Sequence, residues 1–150
     1  MLGVLRDGGH EALAPLPGLP AVAALVAGVR DAGLPVELTC HPADVLVDGR
    51  FAGSGAGLAA YRIVQEALTN VMRHEGLVPT RVEVRLDGPR LCVAVANVLG
   101  AGAGPPGVAG RGLVGMRERA TALGGTFEAA AVGGEFVVTA SLPLRSGTRG

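Results

Sequence analysis

The run from Tyr61 to His74, reading Y-R-I-V-Q-E-A-L-T-N-V-M-R-H, constrains this chain more than any other stretch. It holds the only tyrosine, the only isoleucine, the only glutamine and one of two asparagines, in a sequence otherwise dominated by alanine, glycine, valine, leucine and arginine. Projected at about 100° per residue, Tyr61, Val64, Ala67, Leu68, Val71 and Met72 fall on one side, which is the apolar stripe of a helix packed on a core. Glu66, Asn70 and His74 form an i, i+4, i+8 line on another side. A carboxylate and a carboxamide one turn apart offer oxygens to a magnesium ion or its waters, and the carboxylate can also take a proton. The same spacing is that of a solvated helix face with one polar line. On spacing alone that plainer account is the stronger.

At 150 residues the chain suits one domain with a real core. Hydrophobic residues make up 49% and charged ones 17%, which excludes a disordered tail. The formal net charge is zero, so no net positive field would gather phosphates, and nucleic acid is not expected as the main partner. All 13 basic residues are arginine. The absence of lysine excludes the P-loop lysine, the lysine of eukaryotic-type protein kinases and Schiff-base chemistry. Any phosphate must then be met by arginine, backbone amides or metal. Cys40 and Cys92 stand in strand-like runs and read as small buried thiols, with neither a disulfide nor a zinc site expected. With no apolar run of membrane-spanning length and no signal-peptide pattern, a soluble, cytoplasmic segment without membrane contact is expected.

In chain order, residues 1–16 read as a connecting segment, with His10 a surface histidine among glycines. Val22, Leu25, Val26 and Val29 have helical spacing within Leu19 to Ala32, and Gly33 and Pro35 stop that helix. Val36 to Cys40 reads as a strand, with His41 a turn residue beyond it, and Gly49 to Gly57 reads as a loop into the central helix. Arg81 to Leu86 and Leu91 to Val95 form a hairpin around Asp87, Gly88 and Pro89. Asn97 follows the second strand. Gly100 to Gly112, G-A-G-A-G-P-P-G-V-A-G-R-G, is too rich in glycine and proline for a regular element and reads as a mobile lid.

Leu113, Met116, Ala120 and Leu123 define a third helix ended by Gly124 and Gly125. The glycines before it leave its amides and positive dipole end open to an anion. Thr126 to Ala131 and Phe136 to Leu142 form a second hairpin around Gly133 and Gly134, and Pro143 closes the domain. The pattern predicts an α/β fold: a two-layer sandwich with a mixed sheet and three main helices on one face.

Together, Y-R-I-V-Q-E-A-L-T-N and G-R-G-L-V-G-M-R-E-R resemble the ATP-binding domain of bacterial sensor histidine kinases. That domain shares the Bergerat fold with gyrase B, heat-shock protein 90 and MutL. The resemblance is strongest to the subfamily paired with NarL-type response regulators, and it runs from L-G-V-L-R to S-L-P-L. It implies that Asn70 holds the magnesium bridging the phosphates of ATP and that Glu66 assists phosphoryl transfer. Arg73 and His74 match the basic pair that ends the same box and would face the phosphates. Asn97 stands where the family has the aspartate that accepts from the adenine amino group. Gly110, Gly112, Leu113, Gly115 and Met116 match the second glycine box, whose backbone follows the phosphates. The sequence departs from the family at two positions: Asn97 is uncharged, and Glu135 replaces a threonine near the adenine, so weaker adenine recognition is expected.

The resemblance further implies a division into residues 1–16, a linker from an absent dimerisation and phosphoacceptor module, residues 17–145, the ATP-binding catalytic domain, and residues 146–150, a tail. The expected cofactors are ATP and Mg2+. The expected partners are the phosphoacceptor domain of the same kinase and, indirectly, a response regulator. Two other readings keep the fold: a stand-alone kinase or antagonist like the anti-sigma-factor relatives, and a degenerate docking module without nucleotide.

Overall fold

Five extended stretches of the chain lie side by side in the computed structural model, which describes residues 17–51, 54–100 and 110–144. The elements are α1 (Ala21–Asp31), β1 (Val36–His41), two single 3₁₀ turns (Val45–Val47 and Gly49–Phe51), α2 (Gly55–His74), β2 (Thr80–Asp87), β3 (Arg90–Val98), α3 (Gly110–Ala122), β4 (Thr126–Val132) and β5 (Glu135–Pro143). The strand order is β1-β2-β3-β5-β4. Only β1 and β2 run parallel, joined through α2, and every other pair is antiparallel. The two-layer mixed α/β architecture is therefore the one expected.

Period-two alternation assigns the two faces of the sheet. Thr80, Val82 and Val84 stand in register with Asn97, Val95 and Val93, and the last three with Phe136, Val138 and Ala140. All of these are buried except Phe136, which is half-buried, and this is the face the helices cover. The alternate set, with Glu37, Arg81, Glu83, Arg85 and Glu135, lies on the bare face.

α2 begins at Gly55, earlier than the apolar spacing from Tyr61 implied. Ser54 caps it: its backbone is extended, and its Oγ accepts from the Gly57 amide at 3.0 Å, a cap worth about 1 kcal/mol. The first two turns bury Ala56, Gly57, Ala59 and Ala60, residues too small to stand out as an apolar stripe. A Cβ on Gly57 would stand 3.1 Å from the Phe51 carbonyl, which keeps this position small. Phe51 itself is buried in the core, so Gly49 to Gly57 is not the plain loop expected from its glycines. Ile63 is fully buried and was missing from the expected stripe, whereas Tyr61 and Met72 are only partly buried. Each fully buried aliphatic side chain such as Ile63 or Leu68 contributes about 1.5–3 kcal/mol. The helix ends where Gly76, at φ +87°, donates to the Val71 carbonyl.

Both hairpins form around their expected turns. Gly133 and Gly134 both have positive φ, as a two-residue type I′ connection requires. Three further boundaries are corrected. β3 continues to Val98, so Asn97 lies inside the sheet, because Thr80 and Phe136 offer it partners on both sides. α3 starts at Gly110, so Gly110 and Gly112 belong to its first turn instead of preceding it. His41 ends β1, exposed and 3.8 Å from Glu83. Cys40 and Cys92 are free and half-buried, on opposite faces, and not the fully buried thiols expected. No helix among the described residues is long and apolar enough to cross a membrane. His10, residues 101–109 of the glycine loop, and the 1–16 and 146–150 segments lie outside the described residues.

Candidate functional site

Glu66 and Asn70 stand one turn apart on α2 because the residues between them, Ala67 and Leu68, are held in the core. This turns the polar line toward the flank of the helix, where both side chains are half-buried. The first turn of α3 packs against that flank. A Cβ built on Gly112 would lie 2.6 Å from Asn70 Nδ2, 2.9 Å from Glu66 Oε2 and 3.1 Å from Asn70 Oδ1. Both side chains thus touch the bare backbone of Gly112, in a space that any other residue would fill.

Chemically, this junction joins a carboxylate, a carboxamide and a helix N-terminus. The first amides of α3 lack intrahelical acceptors, and the helix dipole adds positive potential there. Among the described residues, neither Glu66 nor Asn70 has a side-chain hydrogen-bond partner. Also among the described residues, no three His, Cys, Asp or Glu side chains gather as a metal-binding group. A cation here would therefore be met by few protein oxygens, with the rest from ligand and water. That donor set suits Mg2+, which keeps several waters and takes oxygen ligands from phosphates.

The other expected residues fall into three groups. Arg73 and His74 are exposed in the last turn of α2, with His74 one turn beyond Asn70 on the same line. Gly115 is partly exposed on α3 with open space around its Cα, and Leu113 packs against the core. The Met116 side chain is fully buried and seats α3 on the core.

Asn97 lies near the end of β3, 3% exposed, on the helix-covered face. Its Nδ2 donates to the Val98 carbonyl at 3.0 Å. Its neighbour Thr80, equally buried, donates Oγ1 to the Val78 carbonyl at 2.8 Å. Thr80 carries no signal of its own in the sequence, because a threonine opening a strand is ordinary β composition. Glu135 does not stand on this side at all. It pairs with Val98 on the bare face, and its carboxylate forms a bidentate ion pair with Arg81. The Glu135 carboxylate is thus turned to Arg81, on the face opposite to Asn97. Among the described residues, two open clefts of about 430 and 340 Å³ lie along the sheet, and neither is lined by Glu66, Asn70 or Gly112.

The fold has known counterparts. The catalytic domain of the histidine kinase ThkA superposes with a TM-score of 0.62 at 11% identity, over 85% of this chain and 92% of that one. The histidine kinase AdeS of Acinetobacter baumannii gives 0.59 at 14% identity, over 95% and 75%. The blue-light activated histidine kinase of Erythrobacter litoralis gives 0.55 at 16%, over 87% and 46%. The fold is that of a histidine kinase catalytic domain.

In sequence, the chain is 32% identical over 111 residues to the methanol utilization control sensor protein MoxY of Paracoccus denitrificans. That stretch is 71% of this chain and 25% of MoxY, so the match spans about a quarter of that sensor protein. No family model matches the chain.

Proposed function

We propose that this chain binds Mg-ATP between α2 and the first turn of α3, as the catalytic domain of a two-component sensor histidine kinase paired with a NarL-type response regulator. The observation that carries this reading is the contact of Gly112 with Glu66 and Asn70. A packing-driven helix junction would gain from a side chain at that point. Here two polar groups and bare amides converge instead, as a phosphate with its cation requires. The likeness to MoxY, itself named a sensor protein, supports the same setting.

In this reading Asn70 Oδ1 would hold Mg2+, and the backbone of Gly110, Gly112, Leu113 and Gly115 would follow the phosphates. The metal, when bound, neutralises phosphate charge. Arg73 and His74 add positive charge at the open end of the α2 polar line. Asn97 meets the base. Glu66 would accept the proton from one nitrogen of the incoming imidazole as the other nitrogen bonds to the γ-phosphorus and the bond from that phosphorus to the β,γ-bridging oxygen breaks, releasing ADP. That imidazole would be supplied by a phosphoacceptor module, so catalysis by these residues consists of positioning and charge neutralisation. The setting is the cytoplasmic side of a signalling protein.

The test is ATP affinity with and without Mg2+. Wild-type protein should lose at least about tenfold in affinity when Mg2+ is removed, while Asn70→Ala should bind with nearly the same weak affinity in both conditions. A full magnesium effect in Asn70→Ala would remove Asn70 from its role.

A further inference from the structure

The helices leave the second face of the sheet bare, and the middle of that face is not built like a solvated surface. A wetted face of antiparallel strands ordinarily carries polar side chains at every second residue. Here β3 presents Cys92, Ala94, Ala96 and Val98, and β5 presents Val137, Thr139 and Ser141 beside them, with no charge in the set. Long charged side chains stand on the flanks, as in the row Glu83, Ala94, Thr139 and Glu128 that crosses from β2 to β4. Short side chains between long ones make a trough along β3 and β5. The ion pair of Arg81 and Glu135 bridges it, passing over β3, and this leaves Ala96 only 5% exposed on an otherwise open face. One of the two clefts opens beside Pro35, Pro79 and Val98, and the other over Cys92 and Ala94, lined by Glu83 and Glu128.

The charge of this face is unbalanced. Its three arginines already have partners: Arg81 holds Glu135, Arg85 stands 3.9 Å from Asp87, and Arg90 donates Nε to Ser141 Oγ at 2.6 Å. Among the described residues, Glu37 and Glu128 have no ion-pair partner, and Glu83 has only the His41 imidazole, at 3.8 Å. Five carboxylates, those of Glu37, Glu83, Asp87, Glu128 and Glu135, thus face three guanidinium groups, an excess of two negative charges on a chain of zero formal net charge. Width decides what shape fits. From β2 to β4 is three strand spacings, about 14 Å, of which an extended segment would fill about a third. An α-helix with its side chains is about 10–12 Å across and fills the trough.

We infer that this face docks a basic amphipathic α-helix of a partner protein, laid along β3 and β5. An apolar residue of that helix would rest on Val98, and a lysine or arginine two turns away would enter between Glu83 and Glu128. Val98 and Ala94 are four strand residues apart, about 13 Å, which two helical turns and a long basic side chain span. The negative excess disfavours an acidic helix, and it disfavours a second copy of this chain, which would bring the same excess to the interface. The docked helix would leave α2, α3 and Gly112 uncovered on the other face, so this inference does not depend on the nucleotide reading.

The probe is an alanine-rich helical peptide about 18 residues long, with leucine and arginine seven residues apart on one side, and its twin with glutamate in place of arginine. Binding to the full chain is followed by amide NMR shifts, with thermal unfolding to verify each variant. The arginine peptide should bind at least about tenfold tighter than the glutamate peptide and shift Ala94 and Thr139. Ala94→Arg, which fills the trough floor, should lose at least about tenfold in affinity for it. Should that variant not fold, Glu83→Gln combined with Glu128→Gln decides, with an expected loss of at least about threefold. The inference is overturned if the arginine peptide fails to bind at about 1 mM, if the two peptides bind alike, or if the shifts map to the helices. It is equally overturned if the variants bind the arginine peptide as wild type does, or if the chain dimerises through this face.

Discussion

Replacing Gly112 with alanine should separate the function of this domain from its stability. The added Cβ would stand 2.6 Å from Asn70 Nδ2 and 2.9 Å from Glu66 Oε2, against an ordinary contact that begins near 3.4 Å. The two polar groups must therefore retreat by about 0.5–0.8 Å. Both are the ends of flexible side chains, so the fold gives way cheaply, at about 0.5–1.5 kcal/mol for off-rotamer angles. Alanine in place of glycine within a helix returns about 0.8–1 kcal/mol. The net change in unfolding free energy should lie within about 1 kcal/mol of zero. Function should fare otherwise, because a displacement approaching 1 Å in a positioned site costs up to about a hundredfold.

Denaturant unfolding and calorimetric titration with Mg-ATP measure the two quantities separately. The expected result is near-wild-type stability with at least about tenfold weaker binding. Gly28→Ala is the control: Gly28 is exposed on α1 with nothing within 4 Å of its Cβ position. That variant should gain about 0.5–1 kcal/mol and bind Mg-ATP as wild type does. Folded Gly112→Ala protein with affinity within about twofold of wild type would refute the reasoning.

Two further outcomes test the charged surface. Hydrogen bonds from the Arg50 side chain, and then from its backbone amide, hold the Asp48 carboxyl down at about 2. The folded value is below the unfolded value of about 3.9, so this small surface contribution is complete above about 3.9 and is lost as pH falls through about 2. Carboxyl-carbon NMR should show that midpoint, and Arg50→Met should move it back up; an unmoved midpoint would exclude Arg50 as the cause. Glu135→Gln breaks the exposed pair with Arg81, and should cost no more than about 1 kcal/mol after solvent screening. Mg-ATP affinity should stay at the wild-type value, since Glu135 lies on the bare face; a clear change in affinity would mean that the ligand reaches that face.

Much of this was readable from local pattern. The apolar spacing in the central run fixed a helix with Glu66 and Asn70 on one flank, and period-two runs broken by Asp87-Gly88-Pro89 and Gly133-Gly134 fixed two hairpins. The reading faltered where small residues carried the packing. Ala56, Gly57, Ala59 and Ala60 extend α2 without any hydrophobic stripe to announce them, because what buries them is their closeness to Phe51 and the core. Phe51, in turn, sits in a glycine-rich stretch whose local composition signals a loop.

The sequence by itself determined the elements and the chemistry each could carry, because helical and strand periodicities are written in neighbouring residues. Tertiary structure alone decided that β5 inserts between β3 and β4, and that Asn97 is enclosed within the sheet. It also decided that Glu135 faces away from the helices and that Gly112 comes to rest on Asn70. Strand order and register are set by contacts between distant segments, and a shift of one residue exchanges the two faces of a strand. No local pattern carries that information.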